Sequence, residues 1–421
     1  MSATSPCTTV MSPRLAWLLL LTLVSAFALS QAYRTVAGIL SVPLIADFGL
    51  SAQQMGMVAA AFHFAFGGLQ LVMGIGIDMF GIRRTILAAF PLAILGAALS
   101  ALAPSFLTLI AGQALIGVGC APAFLVCTVF VARHFPPQRF AAMQGVALGL
   151  GGLGLIATGT PLAWLVQHYG WRMAYWVLCA TSVLVWLLIF TRVRLPAETA
   201  ADTQAARPTS LWDALQSYGV LLRMPHTAGI LSLVFVGYAA FITLRGLWLA
   251  PYLSDRFGQS LIFSGNVALT LSVIALFAPS LFGRLDPGDD QRRKWLAGFP
   301  WALVALFALL AFTQHLTVAV GTILAIAVCM GATVWQYADV RISYPSHMVG
   351  RAMALFTMSM FLGIAVMQSV TGAAAGWSLA QGLDKYMAVF GTIAALLAAG
   401  SCGYILLPKP RQTASDHGAA H

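Results

Sequence analysis

Two arginines stand where the chain otherwise carries almost no charge. Arg34 closes the first long charge-free run, and Arg245 closes a later one. A guanidinium inside a membrane-embedded segment costs roughly 2.5–3.5 kcal/mol on insertion scales, which makes it a functional candidate by default. Two such groups would form a forked cationic clamp suited to a carboxylate or a phosphate. The competing reading is that both sit at a membrane interface and extend their heads to water or lipid phosphate. Tyr33 adjoins the first arginine and Trp248 follows the second. His63, midway along an apolar run, could carry a proton because its ordinary pKa is about 6.5, or could simply pack. Gln113, Gln336 and Tyr337, like Gln70 and Gln368, could face the same cavity or could bond between helices. Asp339, at the end of a run, is a weaker relay candidate.

The elements that must hold these residues follow from composition. Of 421 residues, 60% are hydrophobic and 8% charged, against about 25% charged in soluble domains. Lipid is therefore the solvent. The net charge of +10 sits mostly in short loops, where it orients a chain in a bilayer, and nucleic-acid binding is set aside. The six cysteines show no metal-ligand spacing, so neither a disulfide, a metal nor another cofactor is expected. A spanning helix needs about 20 apolar residues. Runs free of Asp, Glu, Lys and Arg cover 15–33, 48–77, 85–132, 140–171, 173–191, 224–244, 257–283, 295–338, 352–383 and 386–408. The runs 85–132 and 295–338 are each long enough for a hairpin, turning near Pro104 and near His315, which brings the expected spans to twelve. With both termini cytoplasmic, seventeen of the 22 basic residues fall in inside segments.

This reading divides the chain into a tail at 1–14, a six-helix bundle at 15–191, a polar cytoplasmic linker at 192–226, a second bundle at 227–407 and a tail at 408–421. An amphipathic helix is expected near 211–222 in the linker. The first apolar stretch exceeds signal-peptide length and is read as retained. The bundles repeat. Pro43 to Gly49 parallels Pro251 to Gly258, and Arg139 to Met143 parallels Arg351 to Leu355, at an offset near 210. Internal duplication marks secondary transporters, with the substrate site at the repeat interface.

The loop Gly74-Ile-Gly-Ile-Asp78-Met-Phe-Gly81-Ile-Arg83-Arg84 resembles the signature loop of the major facilitator superfamily, and Gly283 to Asp286 with Arg292 to Lys294 resembles a degraded second copy. The resemblance covers 14 to about 407. It implies an all-α membrane protein of twelve transmembrane helices in two pseudo-symmetric six-helix bundles, each with 3+3 inverted repeats. It also implies a latch. Asp78 would face the start of span eleven at Arg351, and Asp286 the start of span five at Arg139, because an acid favours a helix N-terminus. Ordinary solvated loop charges are the alternative. Gln113 stands where many members carry an arginine, and Thr160 interrupts the glycine–proline pair of the antiporter motif. Both departures weaken drug/proton antiport and nitrate exchange.

The surroundings of Arg34 resemble organic-anion branches of bacterial type. In some of these an arginine near the end of span one binds the substrate anion. The expected activity is alternating-access secondary transport of a small, carboxylate-like anion across a bacterial-type cytoplasmic (inner) membrane, with a possible coupling proton and a monomeric protein. Efflux of hydrophobic small molecules or drugs is the alternative. No phosphate-loop motif, H-E-x-x-H or G-x-S-x-G occurs, so an enzyme is not expected.

Overall fold

The computed structural model describes residues 12–136, 139–193, 218–345 and 348–410. All regular structure among them is helical, as lipid requires, because a helix satisfies every backbone donor within its own segment. Eleven helices are long and apolar enough to cross a membrane. A twelfth span joins Ala52–Gly68 to 70–80, with Gly81 (φ 79°, ψ 167°) turning the chain into the third span at 82–101. Gly288 (φ 78°, ψ 168°) makes the same turn before the ninth.

We number the spans α1 (Pro13–Phe48), α2 (52–80), α3 (82–101), α4 (Phe106–His134), α5 (Phe140–Ala157, then Thr160–Tyr169) and α6 (Trp171–Arg192). The second half holds α7 (Thr227–Phe257), α8 (Leu261–Arg284), α9 (Gln291–Phe312), α10 (Leu316–Ser343), α11 (Val349–Ala380) and α12 (Lys385–Leu406). The two hairpins turn where the sequence places them. Ser105 caps α4, and α10 begins just after His315. With an even number of spans, α1 starts and α12 ends on one side, here the terminal face. Most of the tails and most of the linker lie outside the described residues; of the helix expected near 211–222, the described part, 218–222, is helical.

The repeat is visible atom by atom. Asp47, closing α1, accepts from Trp171 Nε1 at 3.0 Å and Arg172 Nη1 at 2.9 Å at the start of α6. Asp255, closing α7, accepts from Tyr386 Oη at 2.7 Å and Lys385 Nζ at 2.5 Å at the start of α12. A Cβ at Gly154 would lie 1.8 Å from the Ala28 carbonyl oxygen, and one at Gly363 would lie 1.8 Å from that of Phe235. The glycine of α5 that matches Gly363 in role is thus Gly154 rather than Gly151, whose Cβ would meet only the Phe27 ring. Only glycine permits such an approach between spans.

Between the halves, packing is unequal on the two faces. Away from the termini, Gly56 and Gly372 of α2 and α11 abut, Gly159 of α5 lies on Leu269 of α8, and Gly265 of α8 lies on Ala163 of α5. Towards the terminal face, Gly74, Gly145, Gly149, Gly283 and Gly350 have nothing within 4 Å of where a Cβ would stand. The opposite face is sealed and the terminal face is looser.

Candidate functional site

α1 and α7 cross within their spans, backbone to backbone. A Cβ on Gly38 would lie 2.5 Å from the Arg245 carbonyl oxygen, and one on Gly246 would lie 3.4 Å from that of Arg34. Gly38 and Gly246 are separated by the same 208 residues as Asp47 and Asp255, so the crossing marks the pseudo-twofold axis. The two arginines flank it, and both are buried, at 5% and 1% exposure. Neither reaches an interface, which removes the snorkelling alternative in this conformation.

Arg34 points from α1 onto a pair of aromatic rings. Its guanidinium carbon lies 4.4 Å from the Phe361 centroid on α11 and 5.1 Å from that of Phe66 on α2. These rings stand edge to face at 4.5 Å, each from a different half. Tyr238 of α7 gives Arg34 a hydrogen-bonding neighbour. Cation–π contacts are worth about 0.5–2 kcal/mol each, more when dry, and they leave the N–H edge of the guanidinium available. Arg34 Nε has no partner. His63 bonds its own helix through Nδ1 at 3.2 Å from the Ala59 carbonyl oxygen. Its Nε2 is unpartnered, as are both amide atoms of the neighbouring Gln368 on α11. Thr243 Oγ1, Gln31 Oε1 and Arg245 Nη1 are unpartnered too. Buried polar atoms are normally satisfied, so their concentration on α1, α2, α7 and α11 marks a place built to meet a polar ligand or water.

Arg245 lies in a π-helical turn, Leu244–Trp248. Such turns recur at functional sites, and they shift the register of the helix face by one residue. Its side chain leaves its own half. Nη2 donates to the carbonyl oxygens of Leu155 (3.0 Å) and Thr158 (3.3 Å) and to Thr158 Oγ1 (3.2 Å) on α5, while Nε donates to Ser272 Oγ of α8 at 3.2 Å. Neither arginine has a carboxylate partner among the described residues.

The other candidates separate. Tyr337, on the terminal-face half of α10, is 37% exposed and stacks on Phe356 at 4.5 Å. Tyr33 bonds Ser182 at 3.0 Å, tying α1 to α6. Gln113 donates to Tyr175 Oη at 2.9 Å, inside the first bundle. Trp248 Nε1 donates to Thr371 at 3.0 Å, inside the second. Gln336 lines a small cavity of about 20 Å³ within the second bundle, beside Gly237. These four pack within a bundle, because a long polar side chain on a spanning helix finds its nearest donor or acceptor on a helix of its own half. Conversely, Phe66, Phe361 and Tyr238 were not singled out in the sequence, since one aromatic among 46 carries no local signal.

At the terminal face Asp78 lies 3.7 Å from Arg133 of its own half. Tyr218, just before α7, feels Arg351 and Asp78 together; burial raises its pKa, Arg351 lowers it and Asp78 raises it. Gly74 stands in open space, and Arg83 donates to the Phe190 carbonyl oxygen at 3.1 Å beside an exposed Arg84. The expected partnership of Asp286 with Arg139 is absent here. Arg292 takes Asp286 in a two-pronged grip at 3.0 and 2.7 Å, and Arg139 is exposed. The near charge, six residues on, outcompetes one on the other half.

Twelve spans, an internal twofold and a polar, buried axis between the halves define a two-bundle helical membrane protein. The sequence profile of the Major Facilitator Superfamily matches residues 22–368, and the chain belongs to that family. The hexuronate transporter of Bacillus subtilis (strain 168) is 25% identical over 217 residues, covering 51% of this chain and 51% of that protein. The chain thus spans about half the length of this relative. Monocarboxylate transporter 13 of Rattus norvegicus is 27% identical, covering 86% of this chain and 79% of the relative. A solved bacterial homologue of the human lysosomal transporter Spinster, inward-facing and occupied, shares the fold with a TM-score of 0.72 and 16% identity, covering 94% of this chain and 97% of that one.

Proposed function

We propose that the protein is a secondary active transporter of a small organic anion of carboxylate type, working by alternating access as a monomer in a bacterial-type inner membrane with both termini cytoplasmic. One observation carries the reading. Two guanidiniums lie buried on the axis between the halves without a carboxylate partner among the described residues. An uncompensated buried charge is costly, and an anion entering between the halves offsets that cost. A cation would add to it.

Arg34 is the better receptor of the two, because a pair of rings lies against one side of its guanidinium and its Nε is unpartnered. His63 and Gln368 supply further donors, and His63 is the nearest candidate for a coupling proton. Relatives named for hexuronate and monocarboxylate transport agree with a carboxylate. The test is thermal stabilisation of purified protein by mono- and dicarboxylates, sugar acids and phosphate. A ligand at a hundred times its Kd adds about 2.7 kcal/mol to stability. Stabilisation by carboxylates, lost in Arg34→Ala, supports the reading. Stabilisation only by neutral lipophiles or cations would replace it with efflux of hydrophobic compounds.

A further inference from the structure

The two arginines sit in the corresponding helices of the two halves, three residues out of register with the repeat, and the structure gives them different work. Arg34 is held by rings; Arg245 is spent on backbone. Its acceptors sit where α5 breaks. The first segment ends at Ala157, Gly159 adopts a non-helical conformation, and Thr160 with Pro161 opens the second segment. A helix end exposes carbonyls without intrahelical partners and carries partial negative charge. Arg245, reaching from the other half, satisfies two of these carbonyls with Nη2 and crosses to α8 through Ser272. Immediately beyond this point begins the seam that seals the opposite face. Gly159 lies on Leu269, Thr160 Oγ1 donates to Asn266 Oδ1 at 2.6 Å, and Gly265 lies on Ala163.

We propose that Arg245 is a positioning residue that pins the sealed face shut, by capping the broken fifth span from the opposite half while holding the eighth beside it. Opening that face requires α5 and α8 to part, and they cannot part while one guanidinium bonds both. A lysine would not replace it, since a single ammonium lacks the fork that spans two helices. Nη1, unpartnered, is the edge left for other contacts. The proposal rests on the alternating-access reading above but not on the cargo's being an anion.

The test measures access to the seam in the full chain in proteoliposomes. The six native cysteines are replaced, and Leu269→Cys places one thiol against Gly159. A membrane-impermeant maleimide reacts with it from the sealed side only when the seam opens. Hydrogen bonds to a charged group contribute about 1.5–3 kcal/mol each, so Arg245→Gln is expected to raise the labelling rate about tenfold or more. Ser272→Ala, which removes one anchor and keeps the guanidinium, is expected to raise it less. Gly149→Ala, in open space, is expected to leave it unchanged. If Arg245→Gln inserts poorly, Ser272→Ala carries the test. Unchanged labelling in both, or an equal rise in Gly149→Ala, overturns the proposal. Carboxylates that fail to stabilise the protein while labelling rises as expected would remove the anion reading and leave the pin.

Discussion

At the scale of single residues, the guanidinium of Arg34 owes its availability to its neighbours. Phe66 and Phe361 lie together against one side of it, and no carboxylate among the described residues neutralises it. Arg34→Lys keeps the charge but loses the planar fork and most of the stacking. We expect it to insert normally and to weaken anion binding about tenfold or more, read as the ligand concentration needed for half-maximal thermal stabilisation. Phe361→Leu keeps the charge and the fork and should weaken binding less, through a guanidinium that is less firmly oriented. Equal binding by all three proteins would place the anion elsewhere. Outside the membrane, Asp47 has its pKa held below the usual carboxylate range by hydrogen bonds from Trp171 and Arg172. A depressed folded-state value means that the brace stabilises above the ordinary carboxylate pKa, about 3.9, and is lost as pH falls through the folded value. Melting curves at descending pH should therefore show a steeper loss in the native protein than in Asp47→Asn. Parallel loss would show the brace to be idle.

At the scale of elements, glycines decide which helices touch. Gly154 sits against the backbone of α1 with no room for a methyl group. Gly154→Ala must push α5 off α1, and overpacking of this kind costs about 1–3 kcal/mol. We expect a lower melting temperature and impaired transport, while Gly149→Ala, in open space, should be silent in both. The helices themselves were legible in sequence because apolar run length reports lipid thickness directly, and the hairpin turns were legible because Ser105 and His315 interrupt long runs. The internal breaks in α5 and α7 were not. A π-turn at Leu244–Trp248 has no composition of its own; it arises where tertiary contacts around Arg245 outweigh one helical hydrogen bond. For the same reason the sequence left Gln113 and Gln336 open between facing a cavity and bonding between helices; here Gln113 donates to Tyr175 and Gln336 lies beside Gly237, each within its own bundle. A helical wheel gives direction only relative to neighbours, and one sequence does not say which neighbour each face meets.

At the scale of the whole molecule, basic residues gather at the terminal face, with Arg83, Arg84, Arg133, Arg139, Arg292 and Arg293 all at helix ends there. By the positive-inside rule, this charge supports the proposal that the face is cytoplasmic. A fluorescent reporter fused to the C-terminus should mature, and an alkaline phosphatase reporter fused at the same place should stay inactive. The reverse pattern would invert the topology. The arginines were legible as a near-equivalent pair, because each ends a charge-free run in the first helix of its half, about one helical turn out of register with the other. Its division into a ring-held receptor and a backbone-bound pin was not, since that depends on which atoms of the other half each side chain meets.

The crossing of Gly38 on Gly246 has a bearing on how such a protein diversifies. A pivot made of backbone contains no side chain that mutation could enlarge, shorten or recharge without being felt at once. Everything around it is different: rings, amides and hydroxyls project from α2, α10 and α11 and can be exchanged singly. On the proposed alternating-access reading, selection for a new cargo can therefore exchange these side chains while the backbone crossing stays as it is, so that recognition drifts and motion is inherited.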